Sequence, residues 1–403
     1  MKTPRHHAWP HSVVTKLMLL ITLVCAPALA EDDAYQLLRG DPQGYAKVIV
    51  GKPLVFPADH LPHPDYRIEW WYLTANLTDD SGAHYGVHWT LFRQSMTPEH
   101  ASSGWASNQV WMAHAALSTP DGHVYQQRFA RGGIGQAGVD VNAQGQFDAW
   151  LDGSRLTGTS TSSSPLPGQL NFTVDDYQVT LDMTADTPWV LQGKQGYSQK
   201  SNLGQASYYY SQPHIKIRGQ LRRLDNSDRD NTDENADENA DENTVKNTVK
   251  SAGTASQPII LNGQGWLDRE WSSQPLAPDQ PGWDWLSVHL DDGHALMVYR
   301  LRQRDGNDWV SGSWIAPDGS ATTLAKDEII FEPIATTLIT TAGNIQRQLP
   351  LSWRVLLPAK NLSWTVTPLS KAHWLDTAFP YWEGPVMLTG SSKGQGFLEL
   401  TGY

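Results

Sequence analysis

Between Glu69 and Arg93 the chain alternates apolar and polar positions in two runs, EWWYLTANLT and HYGVHWTLFR, joined by Asp-Asp-Ser-Gly. A period of two on either side of a Gly-containing turn is the signature of a β-hairpin. In the first run Trp71, Leu73, Ala75 and Leu77 share one face, and Trp70, Tyr72, Thr74 and Asn76 the other. In the second, Tyr85, Val87, Trp89, Leu91 and Arg93 oppose Gly86, His88, Thr90 and Phe92. Trp70, Tyr72, His88 and Phe92 are large and partly polar, which suits a ligand-facing wall better than a dry core.

The pattern returns two hundred residues later as WDWLSVHLDDGHALMVYRLR, Trp283–Arg302, with Trp70, Leu73 and Leu77 falling on Trp283, Leu286 and Leu290. Two further echoes keep the same order. WMAHAALSTPDG (111–122) matches WVSGSWIAPDG (309–319), and NGQGWL (262–267) matches KGQGFL (393–398). The aromatic run SYYYSQPHIKIRGQL at 207–221 likewise answers YWEGPVMLTG at 381–390. The chain therefore reads as two copies of one β-domain, 63–276 and 282–403, parted near Pro275, Pro278 and Pro281. No amphipathic helix of three turns or more is evident.

Residues 1–30 read differently. Lys2, Arg5 and Lys16 precede an apolar run from Leu17 to Val24, and Ala28-Leu29-Ala30 offers a small-residue cleavage site. This predicts a signal peptide and a periplasmic mature protein. The single cysteine, Cys25, leaves with the leader, so the mature chain is held by its core rather than by disulfides. A Pro-interrupted lead-in, expected to be loose, occupies 31–62. Residues 225–256 carry nine acids and three bases in a low-complexity DENA repeat, half of the net charge of −12. This composition predicts a disordered insertion at a hairpin tip. The acidic balance argues against nucleic acid.

Eighteen tryptophans, one of them in the leader, are more than core filling asks for, and several are expected to line a cavity. No P-loop or dinucleotide fingerprint is present, and no cofactor is expected. Gly390-Ser391-Ser392-Lys393-Gly394 matches G-x-S-x-G but sits in a strand-to-strand turn, where a nucleophile elbow cannot form. His84 and His88 would stand ~13 Å apart on one strand face, too far to share a metal. What remains is charge embedded in apolar strands: Glu69, Arg93, His114, and Asp268, Arg269 and Glu270 within GWLDREW. Alternation places Asp268 and Glu270 beside Trp266, with Arg269 and Trp271 on the opposite face. Desolvation and mutual repulsion would raise a pKa in that pair. Alternatively, Arg269 or Arg93 neutralises both acids and the pair is structural. The equivalent GQGFLELTG keeps one acid, Glu399, read as lying opposite the Asp268 face, which directs any active site to the first copy.

DYRIEWWYLTANL, HWTLFR, WMAHAAL and GWLDREWSSQ resemble the signatures of the AttH and carotenoid 1,2-hydratase-like family from about Pro64 to Tyr403. The resemblance implies an all-β protein of two tandem lipocalin-like (calycin) antiparallel β-barrels, without the G-x-W signature of ordinary lipocalins. It also brings in carotenoid and kievitone hydratases and fungal pericyclases as relatives, and, for bacterial members, an association with an ABC transporter. Three functions come into question. One is an exported protein binding or carrying a hydrophobic small molecule through Glu69, Trp70, Tyr72, His88, Phe92, Arg93, Trp266 and Trp271. The other is a hydratase using Asp268, Glu270 and His114. A third, weaker one is an envelope scaffold. Binding in a Trp-lined cup is favoured, because no acid/base pair stands out from the residues alone. The oligomeric state and the ligand's identity stay open.

Overall fold

The structure is a computed structural model that describes residues 35–99, 102–224 and 257–403; the leader and the acidic insertion lie outside the described residues. Two antiparallel sheets account for nearly all of it. Among the described residues the first has thirteen strands. Its centre runs Gln109–Thr119, His84–Ser95, Ile68–Thr78, Ile259–Ser272, Ala206–Arg223 and Tyr177–Thr184, each hydrogen-bonded to the next. The second has ten, centred on Ala295–Leu301, Trp283–Leu290, Gly394–Thr401 and Tyr381–Gly390. The first curls into a nearly closed barrel and the second into a half-barrel, so the tandem lipocalin-like reading holds. Both hairpins turn on a glycine at positive φ, Gly82 (83°) and Gly293 (85°), a conformation costly for other residues.

Neither barrel is hollow. Trp71, Leu73, Trp89, Leu91, Phe147, Leu170 and Leu181 fill the first, and Leu286, Val288, Val298, Trp353, Trp364 and Trp382 fill the second. The expected cup is thus occupied by side chains. The opposite strand faces, Trp70, Tyr72, His88 and Phe92 among them, point outward from the first barrel and meet the outward face of the second. A third apolar cluster joins Tyr72, Tyr209 and Trp266 of the first barrel to Trp285, Tyr299 and Phe397 of the second. The approach is close: a Cβ added at Gly86 would lie 2.9 Å from Pro385 Cγ. A strand has two faces, and here each is spent on a different contact, one on a barrel core and one on the seam.

The lead-in is packed rather than loose. Tyr35 and Leu38 are buried in the seam cluster, and Val48, Leu54 and Phe56 lie against Tyr208, Tyr210 and Trp271. The strands on either side of 225–256 pair directly, Leu221 opposite Ile259. The chain therefore leaves and re-enters the barrel at neighbouring positions. Replacing 227–255 with a short Gly-Ser turn should leave the melting temperature nearly unchanged, because closure cost varies slowly with loop length. A clear drop in a thermal scan would show that the insertion packs on the body.

Candidate functional site

The seam holds a cavity of about 110 Å³. Four carboxylates face it: Asp268 and Glu270 from the first barrel, Glu383 and Glu399 from the second. Its walls are aromatic, with Trp70, Tyr72, Phe92 and Tyr209 on one side and Trp283, Trp285, Tyr299 and Tyr381 on the other. An adjoining apolar gallery of about 290 Å³ shares Leu38, Ile68, Phe92, Trp283, Tyr381 and Glu399 with it, and continues past Val110, Met112 and Phe129.

Strand parity delivers the acids. Asp268 and Glu270 lie on the Trp266 face of Ile259–Ser272, and their cross-strand partners are Ser211 and Tyr209. In the second barrel Glu399 pairs directly opposite Glu383. Superposing GQGWLD on GQGFLE puts Glu399 on Asp268, and both face the cavity; the expected opposite orientation is wrong. Superposing the Pro213 and Pro385 strands puts Tyr209 on Tyr381 and Ser211 on Glu383. The site is thus assembled from equivalent strands of the two copies. The acids are redistributed between the copies: a serine facing Asp268 becomes a glutamate facing Glu399, while Glu270 becomes Thr401.

The four acids occupy different electrostatic settings. Glu270 is neutralised by Lys200, 2.8 Å away, and accepts a hydrogen bond from Ser207. Burial alone would push the Lys200 ammonium down, but Glu270 and the neighbouring Tyr299 hold it above its ordinary value. Lys200 also lies 4.3 Å from the Tyr299 ring centre. The expectation that Arg269 or Arg93 would neutralise the pair is corrected: Lys200 serves Glu270, and neither arginine faces the cavity. Among the described residues no cation lies within ion-pair distance of Asp268. Burial raises it to about 7, although Ser211, Tyr209 and Trp266 all donate to it and offset part of the rise. The Trp266 and Tyr209 bonds measure 2.6 and 2.7 Å. Glu399 and Glu383 are both raised, by burial first; for Glu383 the Glu399 charge across the ladder adds to it. Tyr72 donates to Glu383 Oε1 at 2.6 Å. Among the described residues Glu383 Oε2 has no hydrogen-bond partner of good geometry, although the nearby Tyr381 hydroxyl, like Tyr72, offsets part of the rise of Glu383, and His88 Nε2 lies 3.3 Å from Oε2. The His88 imidazole is held neutral, by burial and then by His114 and His123.

His114 stands behind this wall and lines the gallery. Its Nδ1 is 2.8 Å from Tyr381 Oη and its Nε2 is 2.7 Å from Gln127 Nε2. The Gln127 amide is oriented by the Ala378 N–H, which donates to Oε1 at 3.1 Å. Gln127 therefore donates to Nε2, the proton sits on Nδ1, and His114 donates to Tyr381. Burial lowers His114 to about 3, so it is a fixed neutral donor and supplies no proton of its own.

Of the proposed ligand residues, Trp70, Tyr72, His88 and Phe92 line the cavity, and Trp266 reaches it through Asp268. Glu69, Arg93 and Trp271 do not. Their parity puts them on the core side of their strands, where Glu69 takes hydrogen bonds from both Arg93 and Arg269 at the barrel end. Trp271 stacks there on His63, 3.9 Å between centres. Glu383, Lys200, Tyr209 and Tyr381 went unseen in the sequence. The match of SYYYSQP to YWEGP was the available signal, had the face of each residue been followed across the repeat. Among the described residues no group of three or more His, Cys, Asp or Glu is placed to hold a metal.

Comparison with known proteins gives one family and a fold. The family model described as AttH-like matches residues 47–235 and 239–403. A candidate AttH of Nitrosomonas europaea, known as a crystal structure, is 31% identical with a TM-score of 0.70, over 89% of this chain and 99% of that one. Kievitone hydratase from Nectria haematococca superposes with a TM-score of 0.60 at 13% identity, over 89% of this chain and 97% of its own, a likeness of fold. Among curated proteins no sequence match is found.

Proposed function

The chain belongs to the AttH-like family, and from that premise we propose that the seam cavity binds an apolar, alkene-bearing small molecule and adds water across its C=C bond. The observation that carries this reading is the Glu383–Glu399 pair, two buried carboxyls directly opposite each other in an aromatic chamber. Opposed carboxyls of this kind titrate as a unit and keep one proton near neutrality. A neutral carboxylic acid is what protonation of an electron-rich alkene requires.

The steps follow from the walls. Glu383, its Oε1 fixed by Tyr72, presents its acidic proton from the unpartnered Oε2. Transfer to one alkene carbon leaves a carbocation on the other, which the faces of Trp70, Trp283 and Trp285 stabilise. Water adds to the cation, and the proton it sheds returns to the Glu383 carboxylate, which restores the acid. Glu270 stays ion-paired with Lys200, while Asp268, raised to about 7, can take or give a proton near neutrality. Support also comes from the fold, which carries a hydratase in the Nectria protein. The leader-like composition of residues 1–30 supports placing the reaction in the periplasm.

The plain carrier is the second reading, favoured by the gallery, whose lining is almost wholly apolar. Incubation with isoprenoid alkenes in heavy-oxygen water separates the two. Hydration is expected to give an alcohol carrying the label, read by mass spectrometry. Trp70→Ala should weaken binding of a neutral apolar probe by roughly tenfold while stability changes little, since Trp70 borders a void. Probe binding without label incorporation from any alkene would leave the carrier. A loss of several kcal/mol of stability, on the order of 3–5 for a core Trp, would make Trp70 structural.

A further inference from the structure

Three arginines of the first barrel lie near the lead-in: Arg67, Arg93 and Arg269. Arg93 and Arg269 share the Glu69 carboxylate. Arg67 has no such partner. It is 6% exposed, and among the described residues no carboxylate lies within ion-pair distance of it. Its guanidinium makes one hydrogen bond, from Nη1 to Asp41 O at 3.3 Å. The Asp41 charge favours the Arg67 cation from a distance, while its carboxylate caps the Gln43 N–H at 2.9 Å. The backbone is held firmly, with Ser95 N donating to Arg67 O at 2.7 Å. A buried cation left this way is costly unless something else completes it.

Arg67 faces an open cleft of about 840 Å³ between the 40–45 loop and the 94–98 segment. Two residues of that cleft, Gln94 and Met96, also line the apolar gallery. The gallery in turn shares six lining residues with the carboxylate chamber. Chamber, gallery and cleft therefore share lining residues in that order, and their chemistry changes along it: acidic, then apolar, then polar with Arg67 beside Asp41. The 40–45 loop passes so near the arginine that a Cβ on Gly40 would lie 2.7 Å from Nη1.

We propose that Arg67 binds the anionic end group, a carboxylate or a phosphate monoester, of an elongated apolar ligand whose body lies in the gallery. The planar guanidinium fork matches both oxyanions and favours them over a neutral hydroxyl. The chamber offers an anion no free cation, since Lys200 is taken by Glu270, and its other three carboxyls are buried, which fixes the ligand's direction: charged end outward, apolar reactive end inward. This rests on the seam cavity taking an apolar ligand, as proposed above.

The test displaces a neutral apolar fluorescent probe at pH 8 with three ligands of one chain length: hexadecanoic acid, hexadecyl phosphate and hexadecanol, each below its micellar concentration. With the native protein the acid, the phosphate or both should displace the probe at concentrations at least about tenfold lower than the alcohol, which corresponds to ~1.4 kcal/mol. Which of the two does so identifies the end group. Arg67→Met should bring the anions to within about twofold of the alcohol and leave the alcohol unchanged. Gly40→Ala keeps the charge but pushes the guanidinium aside, and should narrow the gap in the same direction; it decides the matter if Arg67→Met does not fold. An alcohol that binds the native protein as tightly as both anions overturns the Arg67 proposal and leaves the apolar site standing. If none of the three displaces the probe, the apolar site itself fails, and the Arg67 proposal with it.

Discussion

Glu383→Gln is expected to abolish most turnover while leaving the fold intact and more stable above neutral pH. The amide keeps the shape and can still accept the Tyr72 hydrogen bond, but has no acidic proton to give. Loss of a general acid costs about 10²–10⁴ in rate, while affinity for an apolar probe should hold. The gain in stability follows from the raised carboxyls, and Glu399 shows its direction and size. Below about pH 4 the folded and unfolded states both hold the proton and nothing is lost. As pH rises past 4.5 the unfolded carboxyl ionises, while the folded one keeps its proton to about 7. Stability therefore falls through that interval, and the deficit is complete above it. A buried carboxyl moved from 4.5 to about 7 costs the folded state on the order of 3 kcal/mol at pH 8. Glu399→Gln should recover much of that in a denaturant titration, and Glu383→Gln should move stability the same way. Activity should survive the ionisation of Asp268 and Glu399 at about 7 and decline at higher pH, because burial and the Glu399 charge hold the Glu383 proton longer. Wild-type turnover in Glu383→Gln would remove the pair from the mechanism.

Glu69→Gln should do the reverse, damaging the fold without belonging to the site. Glu69 is fully buried and accepts from Arg93 and Arg269. The His63 N–H also donates to it, at 2.9 Å. Burial would raise its carboxyl, but the two guanidiniums, Arg93 before Arg269, hold it well below the usual range. Arg93 further donates to Tyr66 O at 2.7 Å, and Arg269 to Leu61 O at 2.9 Å, so the network ties the lead-in to the barrel end. Removing the charge strands two buried cations, a loss of about 3–5 kcal/mol, measurable as a shift in denaturation midpoint. The Glu69 contribution is complete above about pH 4.5 and is lost only as acid drives the pH down through its depressed pKa. Probe binding per folded molecule should be unchanged. A stable variant that no longer binds the probe would return Glu69 to the ligand site.

The alternation in Glu69–Arg93 and Trp283–Arg302 was enough to establish strands, hairpin turns and an internal repeat, because side-chain direction in a strand is set by position alone. It also assigned Trp70, Tyr72, His88, Phe92, Asp268 and Glu270 to a face distinct from the core. Alternation says that two residues share a face, not what that face meets. Arg93 and Glu69 looked like site residues because charge in an apolar strand is conspicuous, yet their parity with Trp71 and Leu91 already placed them on the core side. Glu383 was missed for the opposite reason: its counterpart in the first copy is Ser211, so the repeat offered no acid to compare. By itself, then, the pattern determined two copies of one β-domain and which residues share each face of the repeated strands, while the barrels came with the family resemblance. Only the tertiary structure decided that both barrels are filled and that their outer faces close on each other, because packing between distant segments has no local period. From that closure come the four-carboxylate chamber, the Lys200–Glu270 pair and the raised carboxyls of Glu383 and Glu399, since desolvation arises only when two surfaces meet.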